Sequence, residues 1–513
     1  MKKYLLILIL SIAVTFSYGQ TELVKKYAET ITIYDLTKHM EILSSDKYEG
    51  RDTGKEGQKL AADYIKAQFK EENLTGPSPS KDPYFQEFDL IQRNYGSYFK
   101  NEETKIESEI DFFSTNVAQS GEKDVEIIFM GYGIDHENYS DYKGIDVKGK
   151  IVVYFKGEPI DKNKKYLTTL SVQPTNFARL KQQKIDTAIK KGALGTIRID
   201  PVEKKAAYLI KSRGNFSRLE INSDIIKESE AKYHFFMTPS AASKLLGISE
   251  TKFLGSIKKL NKGINLSGKY SSKILMVVQD KLIPTENVVG YIEGSDKKDE
   301  LIIITAHYDH VGKRNDKIYN GADDNASGTV AIIEIAEAFA QAKAEGHGPR
   351  RSILFMPVTG EEKGLLGSKY YAQYKPIFPI ENTVLCINMD MIGRIDKKHE
   401  EQQNYVYNSS SGYESSDLHN INLKAENNVH SDLKPEYSFV GDSGRISGGS
   451  DHYSFFTVNV PVMYFRCGIH DDYHKPTDTI EKINFKNFCN ITKLVFSTAW
   501  EAANYEGEIS IEE

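Results

Sequence analysis

Four short runs in the C-terminal part of the chain, Leu301–Ala306, Ser352–Val358, Thr383–Met389 and Pro461–Phe465, are apolar nearly throughout. A strand with one wet face alternates apolar and polar residues; a strand covered on both faces does not, and such strands sit in parallel or mixed sheets. Between the first two runs lies ASGTVAIIEIAEAFAQAKAEG, where Val330, Ile332, Ile333, Ala336 and Phe339 recur at helical spacing ahead of Gly346. That spacing predicts a helix packed on the sheet and stopped by a glycine. A last helix is expected from about Phe485 to Asn504. The repeated order of strand, loop and helix predicts an α/β domain with a helix-covered sheet.

The pattern upstream is different. In Leu43–Leu74 the front half is loop punctuated by Gly50, Gly54 and Gly57, and the back half places Leu60, Ala61, Tyr64, Ile65 and Phe69 on one helical stripe. From about Val125 to Lys269, short β-rich runs (VEIIFMGYGI, KIVVYF, ALGTIRI) alternate with glycine and charge, and metal-type ligands do not cluster. This reads as a separate, mostly β module with some helix, without chemistry of its own. The length of 513 residues also calls for two domains, since single cores stop growing at about 250–300 residues.

At the N-terminus, Lys2 and Lys3 precede an apolar run from Tyr4 to Phe16 and then small and polar residues up to Gln20. The run is shorter than the ~20 residues that span a bilayer, so residues 1–19 are expected to be a secretory signal peptide, with the mature chain periplasmic or extracellular and not stably inserted in a membrane. The formal net charge of −6 argues against a nucleic-acid partner. Three cysteines are too few for a disulfide scaffold; Cys386 and Cys489 read as packing residues.

The chemistry lies just after the apolar runs. His307 and Asp309 follow the first, Glu361 and Glu362 the second, Asp390 the third, and Tyr473 and His474 the fourth, while Asp323 and Asp324 precede the helix. In open α/β sheets, ligands bind beyond the carboxyl ends of the strands, so all these groups fall on one edge. Taken singly, a histidine caps a turn or an acid faces water. Converging acids, however, repel one another and raise each other's pKa, and a cation resolves the conflict. Imidazole and carboxylate without thiolate suit zinc, and the groups exceed what one tetrahedral catalytic ion requires. Two ions sharing one carboxylate would use them. There is neither a GxSxG elbow nor an HExxH helix, so serine-hydrolase and zincin chemistry are not indicated.

HYDH with GADDNASG, TGEEKGLLGS, NMDMIG, GGSDHYSF and YHKPTDTI, in this order, resemble the M28 family of zinc-dependent exopeptidases, the co-catalytic aminopeptidase group. LSSDKYEGRDTG resembles that family's N-terminal signature, and MGYGIDHENYSDYKGIDVKGKIVVYFKGEP is similar to the protease-associated (PA) domain inserted in many members. The resemblance implies a three-layer α/β/α zinc-exopeptidase domain with a central mixed, mainly parallel sheet, divided as residues 20–110 and 273–513, with a mostly β PA-like domain at 111–272. It implies two Zn2+ ions, with His307 and Asp390 on one, Glu362 and His474 on the other, and Asp323 bridging. Glu361 would be the general base, Tyr473 would steady the oxyanion, and Asp309 would orient His307 through its free ring nitrogen; Asp478 would support the site. His310 and His452 are read as supporting or structural, since the set of five ligands is complete without them. Some relatives carry an arginine where this chain has Gly449 before Ser450 and Asp451.

The expected substrates are peptides, cut from the amino end. A carboxypeptidase or dipeptidase of the same family is the alternative, and Arg394, Arg445 and Arg466 are the cations that could read a terminal carboxylate. A one-zinc glutaminyl cyclase and a non-catalytic binding protein are the remaining readings; the full ligand set speaks against the second.

Overall fold

The computed structural model of the chain describes residues 21–92, 95–114, 120–179, 181–214, 219–222, 233–314, 316–411, 416–429, 431–439 and 448–509. The expected leader and Arg445 lie outside the described residues. The chain forms two compact units, one made of residues 1–89 with 284–513 and the other of residues 90–283.

The first unit is built on a seven-stranded sheet. Its strands are β1 (Gly290–Ile292), β2 (Lys297–His307), β3 (Arg351–Val358), β4 (Thr383–Met389), β5 (Tyr405–Ser410), β6 (Lys434–Phe439) and β7 (Val462–Arg466), in the spatial order β1-β3-β2-β4-β7-β5-β6. β2 runs parallel to β3 and β4, β4 parallel to β7, and β5 parallel to β6, whereas β1 and β5 meet their other neighbours antiparallel. The sheet is thus mixed and mainly parallel.

Both faces are dry, as the unbroken apolar runs require. Ile302, Ile304 and Ala306 of β2 join a core with Val330, Phe339, Phe355 and Trp500. Their alternates Leu301 and Ile303 point to the opposite side, with Met356, Tyr371, Phe455 and Val462. The first face is covered by helices α1 (Ile33–Leu43), α2 (Glu56–Glu71), α3 (Gly328–Ala344), α4 (Asp417–Val429) and α5 (Phe485–Asn504), each of which contributes to that core. Phe339 of α3 packs on Phe355, Phe496 and Trp500 at ring-centroid distances of 4.9–6.2 Å, and truncating such an aromatic to alanine costs about 3–5 kcal/mol. Among the described residues, no helix is long and apolar enough to cross a membrane.

The second unit carries an eight-stranded mixed sheet with its own core of Phe99, Phe129, Phe155, Ile197, Phe235 and Phe253. Helices Lys181–Lys190, Glu203–Gly214 and Glu250–Leu260 supply the expected helical part. The insertion is wider than 111–272, because Tyr98–Lys100, Lys105–Glu107 and Ser271–Val278 all belong to this sheet. The first two are three-residue strands, too short to show a periodicity, which is why the sequence pattern places the boundary late.

One buried polar contact beneath the sheet gives a pH test of this packing. His39 of α1 sits with Nε2 3.3 Å from Glu334 Oε1 of α3 and Nδ1 2.6 Å from the Tyr64 hydroxyl of α2. Although spaced as an ion pair, both groups are held neutral by burial, His39 down at about 4 and Glu334 up at about 8. Between the ordinary carboxylate range and pH 8, the folded chain keeps a Glu334 proton that the unfolded chain has released, so this group's contribution to stability falls as pH rises. Glu334→Gln is therefore expected to raise the thermal unfolding midpoint, and by more at pH 8 than at pH 5. An equal shift at both values, or a lower midpoint, would contradict the assignment.

Candidate metal centre

The parallel strands β2, β3, β4 and β7 end along one edge, with His307 opposite Val358 and Met389 opposite Phe465. The loops leaving that edge bring two groups of ligand-type side chains together. In one, single atoms of His310, Asp324, Glu362 and His474 lie within 4.8 Å of one another; in the other, atoms of His307, Asp324 and Asp390 do. Asp324 belongs to both. Its Oδ1 is 3.4 Å from His307 Nε2, and its Oδ2 is 3.1 Å from His474 Nε2 and 3.6 Å from His310 Nδ1. Glu362 Oε1 lies 2.8 Å from His310 Nδ1 and 3.0 Å from His474 Nε2.

The residues fit divalent cations. Asp324 Oδ2, Glu362 Oε1 and His310 Nδ1 are buried without a hydrogen-bond partner although they crowd together, so their lone pairs face a common point and not each other. Each such group costs about 1–3 kcal/mol if left unpaired. His307 Nδ1 lies 3.0 Å from the backbone carbonyl of Asp309. A carbonyl only accepts, so Nδ1 carries a proton and the Nε2 lone pair of the neutral ring faces Asp324 and Asp390, the latter at 3.4 Å. That arrangement needs a positive charge at Nε2, either a second proton or a metal ion. Oxygen and imidazole donors of this kind suit zinc or a similar ion.

Two expectations are corrected here. Asp324, not Asp323, is the shared carboxylate. Asp323 turns away: its Oδ1 accepts from the Gly393 N–H at 2.6 Å, and its Oδ2 lies 3.2 Å from His470 Nε2. Neighbouring residues on a turn point apart, and the spacing of the DD pair does not say which one points inward. Asp309 also differs. Its backbone, not its carboxylate, meets His307, and the carboxylate Oδ1 is 3.9 Å from Nδ1. The Asp309 carboxylate instead accepts from the Glu361 N–H at 3.2 Å and from the Thr53 hydroxyl at 2.8 Å. It therefore sets the turn that carries the Glu361–Glu362 pair.

The other expected residues fall around the edge. Asp390 follows β4 and is drawn below the usual carboxylate range because His307 outweighs its burial. Glu361 belongs to neither group; burial, with Asp451 and Asp390 nearby, holds its carboxyl well above that range. His474 is raised to about 9 because Asp324 and Glu362 overcome its partial burial. Tyr473 is 38% exposed and stacks on His474 at 3.9 Å. Asp478 accepts from the Asp323 and Asp324 backbone N–H groups at 3.1–3.2 Å, so it holds the loop that aims the shared carboxylate. His452 stacks on Tyr464 at 4.1 Å and joins neither group.

Sequence reasoning missed three parts. His310 stands among the ligand-type atoms. Asp451, pushed up to about 7 by burial, accepts from Ser368 Oγ and neighbours Glu361 in charge. Arg51, buried in the GRDTG loop, donates to the carbonyls of Leu43, Tyr308, Asn320 and Gly321 at 2.7–2.8 Å. It thereby ties both ends of the loop between β2 and Asp324 to the N-terminal segment. A lone arginine between glycines beside an acidic site was the one available signal.

Residues 287–499 match the sequence model of peptidase family M28. The chain is 27% identical over 237 residues to the aminopeptidase YwaD of Bacillus subtilis, covering 43% of this chain and 46% of that protein. It is 26% identical over 255 residues to the aminopeptidase NAALADL1 of Rattus norvegicus, covering 45% and 33%. It thus spans half or less of the length of these two relatives. A solved aminopeptidase from Aneurinibacillus sp. strain AM-1 shares the fold, with a TM-score of 0.52 at 19% identity over 96% of this chain and 98% of that one.

The shared role of Asp324 can be tested directly. Asp324→Asn is expected to lower the divalent metal retained after dialysis to well under one equivalent per chain, whereas Asp323→Asn, which keeps the acceptor for Gly393, retains as much as the unaltered protein. Elemental analysis giving the reverse order would return the bridging role to Asp323.

Proposed function

We propose that this chain is an exported metallo-exopeptidase that binds two zinc ions and removes residues from the amino ends of peptides. The observation that carries the reading is the division of the Asp324 carboxylate, one oxygen toward His307 and the other toward His310 and His474, which is what a pair of adjacent cations requires. His307, Asp390 and Asp324 would hold one ion, and Glu362, His474 and Asp324 the other. When bound, zinc supplies Lewis-acid polarisation of the peptide carbonyl and acidifies water.

The remaining steps belong to side chains. Glu361, on the same turn as Glu362 but outside both ligand groups, takes a proton from the attacking water and returns it to the departing amine. Tyr473, half open to solvent beside His474, directs its hydroxyl to the oxygen of the carbonyl under attack. Asp309 keeps the Glu361 backbone in place. The mature chain reaches the periplasm or the exterior on its expected leader, and other divalent ions that accept imidazole and carboxylate fit the same groups.

Cleavage at the amino end is favoured by charge. A surplus of acids around the ions suits an α-ammonium group. Of the arginines that could read a terminal carboxylate, the two described ones have neighbours already: Arg394 pairs with Asp472 at 3.0 Å, and the Arg466 guanidinium lies over the rings of Tyr407 and Tyr464. Glutaminyl cyclase chemistry with one zinc has no use for the second ligand group.

Two assays test the reading. Purified protein should hydrolyse aminoacyl-nitroanilides, lose that activity to a chelator, and cleave a carboxyl-blocked dipeptide but not an amino-blocked one; the opposite preference would make it a carboxypeptidase. Glu361→Gln should lower kcat about 10²- to 10⁴-fold, the usual worth of a general base, with metal content unchanged. Full activity in that variant would remove Glu361 from the mechanism.

A further inference from the structure

His310 is fully buried, and neither of its ring nitrogens has a hydrogen-bond partner. A buried imidazole normally satisfies both nitrogens, and leaving either unpaired costs about 1–3 kcal/mol. The ring is nevertheless fixed with care. Its backbone N–H donates to the Arg51 carbonyl at 3.2 Å, and the left-handed Gly321 packs so closely that a Cβ there would stand 2.5 Å from the His310 ring. Any side chain at 321 would displace the imidazole. What this placement achieves is to aim Nδ1 at the point faced by Glu362 Oε1, 2.8 Å away, and Asp324 Oδ2, 3.6 Å away, with the His474 ring edge-on at 5.6 Å.

We propose that His310 is a sixth protein ligand of the metal pair, binding through Nδ1 on the Glu362–His474 side, so that the two metal positions are chemically unequal. The inference rests on the metallopeptidase reading above. One loop then serves both ions: His307 faces Asp324 Oδ1 and His310 faces Asp324 Oδ2. The Glu362 side has two imidazoles and two carboxylates, which fill a tetrahedron as in a closed structural site. The His307 side has one imidazole and two carboxylates, leaving a position open as in a catalytic site. The closed position fills first and holds its ion tightly; the open one exchanges and is the one that substrate reaches.

The readout is the number of imidazoles around the metal, which a merely structural histidine would not alter. Zinc K-edge absorption of the full-length protein carrying one equivalent of zinc should count two imidazoles. An Asp390→Asn background, which disables the other position, should give the same count. His310→Asn should reduce it to one and weaken the tighter step of a chromogenic-chelator titration by more than 100-fold, beyond the 10- to 100-fold typical of residues behind the ligands, while leaving the weaker step in place. One imidazole per zinc in the unaltered protein, or an unchanged tight step in His310→Asn, overturns the inference and leaves the two-metal reading standing. Failure of the unaltered protein to take up zinc overturns both.

Discussion

Carboxylates taken out of water cannot sit side by side unless something positive sits between them. Asp324, Glu362 and Asp390 are all withdrawn from solvent at the rim of the sheet, and Asp324 Oδ2 and Glu362 Oε1 crowd against imidazole nitrogens without hydrogen bonding to them. Desolvating an ion costs several kcal/mol even after the protein relaxes, and like charges at this range add to that. On the two-metal proposal, a divalent cation at each convergence point would turn that repulsion into attraction. The loop conformations, the buried supporting groups and the proposed chemistry all follow from that requirement.

The scaffold meets it by assigning rigidity and chemistry to different segments. Dry strands and the helices over them fix where β2, β3, β4 and β7 end, and the ligand-type side chains sit at those ends and on the loops that leave them. Loops alone would not hold a carboxylate to within a few tenths of an ångström. Arg51 therefore binds three carbonyls of the loop that follows β2, Asp478 grips the backbone of the DD pair, and Asp309 with Thr53 sets the turn of the glutamates. Each holds backbone in place and leaves the ligand-type side chains free of these contacts.

The sheet was legible because burial on both faces leaves an unbroken apolar run, and α3 and α5 because their stripes are long. The strand edge that carries the site followed from the same runs. Orientation within a turn was not legible: Asp323 and Asp324 are chemically identical neighbours, and only the grip of Asp478 on their backbone and of Gly393 on the first carboxylate decides which one faces inward. The sequence does not single out His310, because five other groups complete a ligand set without it and its burial against Gly321 is a tertiary fact. Arg51 lies more than 250 residues from the loop it anchors, beyond the reach of any local pattern. The early start of the inserted unit was hidden by strands of three residues.

The measurement that bears most directly on the central claim is an anomalous difference map from crystals of the metal-loaded protein, recorded on either side of the zinc edge. The account requires two peaks, one on each side of the Asp324 carboxylate, the first in contact with His307 and Asp390 and the second with Glu362 and His474. A map with no peak at this rim, or with a single ion centred on Asp323, would contradict it.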